Sequence, residues 1–144
     1  MSSGAIVLAA ILLMAPAPAG AQSSFPAAQP CLGQRVPLSS VNALADCLSD
    51  PNPAVRDAIA FEGLSALLRS GNVEVATLRG LRDRLLVTVR QGGPALQTSF
   101  SVLTLAEVAR TDRVKPWMSD AEREAMVQAA AGFLSSVTDY RAFT

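Results

Sequence analysis

The chain has 144 residues, half of them apolar, which is enough for one domain with an ordinary core and too few for two. Twelve basic residues balance twelve acidic ones. That argues against a nucleic-acid partner, because phosphate contacts draw on a basic surplus, and against a simple electrostatic membrane anchor. Histidine is absent, so serine–histidine and cysteine–histidine catalysis are excluded along with most zinc sites, and neither a metal nor a cofactor is expected.

Residues 1–21 read as a secretory signal. Ala5 to Met14 has the length of an apolar signal core, and Ala19-Gly20-Ala21 is a small-x-small cleavage motif. Pro16 and Pro18 interrupt the run before the roughly 20 residues that a membrane span requires. Gln22 rather than Cys follows the cleavage motif, so a lipoprotein anchor is not indicated. The expectation is an exported, periplasmic or extracellular chain that starts near Gln22, with no stable membrane span.

Residues 22–38 carry Pro26, Pro30, Pro37 and Gly33 without periodicity, which predicts an extended arm. In an exported protein the cysteine pair Cys31 and Cys47 reads first as a disulfide tying this arm to the first helix. A loop of that length contributes roughly 3 kcal/mol in the chain-entropy model. The alternative is two independent thiols, with Cys47 buried in a helix.

Five helices follow in residues 39–144. Helix one, capped by Ser39 or Ser40, shows Val41, Leu44, Ala45 and Leu48 on one face and ends at Asp50-Pro51. Helix two starts at Asn52-Pro53 with a stripe of Val55, Ile59, Leu64, Leu67 and Leu68, and Gly71 suits the left-handed position beyond its end. Helix three, capped by Asn72, carries Val75, Leu78, Leu81, Leu85, Leu86 and Val89 and stops at Gly92-Gly93-Pro94. Helix four runs from Ala95 to about Arg110 and is apolar enough to be buried on more than one side. Helix five opens on the capping box Ser119-Asp-Ala-Glu122 and carries Met126, Ala129, Phe133, Leu134 and Val137.

Helices two and four superpose at an offset of 41, pairing Ile59 with Phe100 and Leu64 with Leu105. Helices three and five superpose at 48, pairing Leu78 with Met126 and Leu81 with Ala129. The seven-residue difference falls in Thr111–Met118, which holds the only Trp and the only Lys. Helix-turn-helix units at this period, together with the start Asp50-Pro-Asn-Pro-Ala-Val-Arg56, point to an all-α, HEAT-like right-handed array of antiparallel helical hairpins.

From about Val55 to Thr144 the chain resembles a bacterial family of uncharacterised, all-helical HEAT-like proteins, a domain of unknown function. The resemblance rests on Arg56-Asp57-x-Ile59-Ala60, Arg79-Gly-Leu-Arg-Asp83, Ser99-Phe-Ser-Val-Leu-Thr-Leu-Ala-Glu107 and Asp139-Tyr-Arg141. It implies a continuation into a Trp- and His-bearing helix. The sequence stops at Thr144 without histidine, so no site built on those histidines is expected.

No catalytic residue is assigned. Asp120, Glu122 and Glu124 sit in the first turn of helix five, where negative charge favours the helix dipole. Arg79, Arg82 and Asp83 fall on the helix of a hairpin that lines the inner surface of a solenoid, a place for an acidic ligand or simply a solvated face. Trp117, beside Arg113 and Lys115, is a candidate contact at a loop tip, or packing over the hairpin end. Helix five is apolar nearly all round, and Met126, Val127, Ala130 and Leu134 are expected to form an exposed interface for a homodimer or a partner helix. The function expected is an exported, non-catalytic module that binds a protein or peptide. The alternatives are a hydrolase-type enzyme using carboxylates and arginines in a concave groove, and a truncated, inactive member of the family.

Overall fold

Gly71 and Gly92 set the turns of the chain. Both take left-handed backbone angles, φ +73° and +67°, which cost a residue with a Cβ atom about 1 kcal/mol or more. A Cβ added at Gly71 would meet nothing within 4 Å, so the cost is conformational alone. Gly71→Ala is expected to lower stability by about 1 kcal/mol in urea unfolding with the slope unchanged.

The computed structural model describes Cys31 and residues 40–138. The expected leader, the rest of the expected arm, the cap candidate Ser39 and Asp139–Arg141 lie outside the described residues. Those described are all-helical, without strands. Helix α1 (Val41–Asp46) tightens into a 3₁₀ turn at Cys47–Ser49, and α2 (Glu62–Ser70) continues a π-helical segment at Ala54–Phe61. Then come α3 (Val75–Gln91), α4 (Ala95–Val114) and α5 (Asp120–Ser136). Helix α3 packs on α4 and α5, α4 on α2, and α1 on the π segment and α2.

The π segment changes which residues of the second helix face inward. The Glu62 amide reaches back to the Asp57 carbonyl, the five-residue span of a π turn. Buried positions therefore run Val55, Ala60, Leu64 and Leu68. Ile59, expected inward four residues after Val55, is only partly buried, because the wider turn brings Ala60 there instead. Leu67 is partly buried too.

Helix ends also differ from expectation. Ser40 precedes α1 without a side-chain cap bond, whereas Asn52 Oδ1 accepts from the Ala54 amide at 3.0 Å. Glu74, not Asn72, occupies the position before α3. Helix α4 runs four residues past Arg110. It stops where Lys115 takes extended angles, φ −141° and ψ 102°, as a residue before a proline does. The buried side of α4 includes Thr98, Ser101, Thr104, Leu105, Val108 and Asp112, while Leu103 is exposed. The Ser101 and Thr104 hydroxyls donate to the carbonyls four residues back, at 2.8 and 2.7 Å, so they are buried without losing a partner.

Cys31 and Cys47 are joined, with sulfurs 2.14 Å and Cα atoms 5.9 Å apart. Asp50, itself buried, accepts from the Cys31 amide at 2.9 Å and the Asn52 amide at 2.8 Å. One carboxylate thus links the disulfide to the start of the second helix.

Candidate functional site

Four of the charged side chains that the sequence singles out, Arg79, Arg82, Asp83 and Glu122, meet where the α4–α5 loop crosses α3. Glu122 is the hub. Its Oε2 accepts from the Ser119 amide at 2.6 Å, while the Glu122 amide donates to Ser119 Oγ at 3.3 Å. That is the expected capping box. Its Oε1 accepts from Arg79 and, at 2.6 Å, from Arg82. The Ser119 backbone and the Arg82 guanidinium hold the Glu122 carboxyl at about 2.

Arg82 is the exception to the expected solvated face. Its side chain is only 8% exposed, and its Nε and Nη2 donate to Asp83 Oδ1 at 2.9 and 2.7 Å. Arg79 donates to the Trp117 carbonyl at 2.6 Å. Both guanidiniums lie over the indole, 5.4 and 5.7 Å from its centroid, within cation–π range. Arg79, Arg82, Asp83 and Trp117 therefore form one assembly. Arg113 and Lys115 stay outside it and are exposed.

Asp112 is the residue sequence reasoning missed. Its Oδ1 accepts from the Trp117 and Met118 amides, both at 2.7 Å, and its Oδ2 from Arg123 Nε at 2.7 Å. Arg123 first, then the two backbone amides, hold its carboxyl at about 2 against the cost of burial. The available signal was an acidic residue near the end of an apolar helix, just ahead of a proline and the only tryptophan.

A cleft of about 250 Å³ opens between the α2–α3 turn and the α4–α5 loop. Its walls include Leu68, Val73, Leu78, Val114, Pro116 and Trp117, and its cations are Arg69, Arg110 and Lys115, with no carboxylate on the lining. Arg69 and Arg110 share Glu107, which lies below the usual carboxylate range chiefly because Arg69 donates to it. Among the described residues Lys115 enters no ion pair, and no cluster of potential metal ligands occurs.

Of the four residues expected on an outer surface of helix five, two are exposed. Val127 and Leu134 are 59% and 60% exposed, but Met126 is buried. It faces the core with Ala129, on the side of α5 packed against α3, and cannot belong to an outer surface. Ala130 is half-buried. No helix among the described residues is long and apolar enough to cross a membrane.

Residues 91–144 match the model of a protein family of unknown function, DUF2785. The match takes in α4 and α5, a little over a third of the chain, and includes the Ser99–Glu107 motif but not Arg56–Ala60 or Arg79–Asp83. No curated protein and no solved structure matches the chain.

Proposed function

We propose that this protein is an exported, non-catalytic helical-repeat module that docks a second copy of itself, or a partner helix, on the outer face of α5. One observation carries the reading. Val127 and Leu134 sit two turns apart on α5 with more than half of each side chain in solvent, and Ala131 is exposed between them. Covering such apolar surface is favourable by roughly 25 cal/mol per Å².

The HEAT-like arrangement belongs to the same reading. Leu64 and Leu105 are buried at corresponding positions, as are Leu78 and Met126, and Leu81 and Ala129. The correspondence lapses at Leu86, which is buried, and Leu134, which is not. In the proposed array, Leu134 is where a further helix would pack. The disulfide and the leader support export. The hydrolase alternative gains nothing from the geometry. A general acid or base works best with a pKa near the operating pH, and Asp112 and Glu122 are held at about 2 by arginines and amides.

Light scattering after size exclusion tests the docking face. The oxidised protein from Gln22 onward is expected to run as a dimer, or to crosslink from position 131 to one envelope protein. The double variant Val127→Asp with Leu134→Asp should lose either association and still unfold cooperatively, with a melting temperature that no longer depends on protein concentration. A monomer that crosslinks to nothing would sink the reading.

A further inference from the structure

No residue of α5 lines the cleft, so the site is separate from the α5 face. Its volume falls just under the roughly 300–1,000 Å³ usual for ligand sites, so it suits a small molecule. The walls are apolar and the lining charges are all positive. Two of those cations share Glu107. Glu74 is the other nearby acid, exposed between the lining residues Val73 and Val75. Counting both acids, three cations still face two carboxylates, and Lys115 has no partner among the described residues.

The indole wall is fixed before any ligand arrives. Asp112 holds the Trp117 amide, Thr111 Oγ1 accepts from the indole Nε1 at 3.1 Å, and two guanidiniums cover the ring. A wall already ordered loses little freedom on binding.

We infer that this cleft binds a small free carboxylic acid with an apolar chain, the chain lying against Trp117 and Val114 and the carboxylate at Lys115 and Arg110. An apolar body answers the walls. A single negative charge answers the rim, where a cation would meet repulsion and an uncharged head would leave Lys115 unanswered.

Trp117 is the only tryptophan, so its emission reports occupancy. Octanoate is expected to change it saturably, with affinity falling as salt is added and in the order octanoate, octanol, octylamine. Lys115→Ala should weaken octanoate about threefold, the size of an exposed ion pair, and Glu74→Gln should strengthen it. Val114→Asp should abolish the response, and the Val127→Asp, Leu134→Asp pair should leave it intact. Equal binding of octanoate and octanol, or no effect of Lys115→Ala, would overturn the inference. So would binding of a short apolar peptide with a free C-terminal carboxylate in place of octanoate.

Discussion

Asp112→Ala is expected to lower stability by about 3 kcal/mol in urea unfolding. The carboxylate is 5% exposed and accepts from two backbone amides and Arg123. Alanine strands those amides in the protein, where each unsatisfied donor costs about 1–3 kcal/mol. Asp112→Asn keeps Oδ1 as an acceptor for the amides but loses the charge and, with Nδ2 in place of Oδ2, the acceptor for Arg123. At pH 7 it should cost about 2 kcal/mol, the value of lowering a carboxyl from 3.8 to about 2. Because the folded-state pKa is the lower one, this stability is present above pH 3.8 and is lost as pH falls towards 2. The difference between wild type and Asp112→Asn should therefore close over that window. A constant difference down to pH 2 would show that the charge contributes nothing.

Reduction of Cys31–Cys47 is the second large effect. The bond closes a loop with a sequence separation of 16, and opening it should cost about 3 kcal/mol through the freed unfolded chain. Cys47 is buried among α1 and α2 core residues, so substituting it would add a cavity to the loss. Reduction by dithiothreitol isolates the crosslink. Cys31→Ser should match reduction within about 1 kcal/mol, since Cys31 is only partly buried. An oxidised and a reduced protein of equal stability would remove the disulfide from the account of this fold.

Much of the architecture was legible because it rests on local rules. The capping box at Ser119–Glu122 and the glycines at 71 and 92 act within one or two turns, so the residues that cause them are adjacent in sequence. The π segment was not legible. Periodicity assumes 3.6 residues per turn, and nothing in Ala54–Phe61 announces the wider turn that exchanges Ile59 for Ala60. The length of α4 was misjudged because Thr111–Val114 looked like inserted loop, whereas only Pro116 actually stops the helix. The charged site was half legible. Arginines, an aspartate and a tryptophan were singled out, but what brings them together is Glu122, about forty residues beyond the arginines, and Asp112, which anchors the Trp117 backbone. Met126 and Leu134 looked alike in an apolar helix, and only the packing of α5 on α3 separates them.

The double duty of Glu122 bears on the order in which the molecule assembles. One of its oxygens starts α5, and the other grips arginines made about forty residues earlier. During synthesis α3 is therefore available before α5 has a first turn. The costly opening step of that helix takes place beside a surface that already presents two arginines to Glu122. Nucleation and docking thereby become a single event.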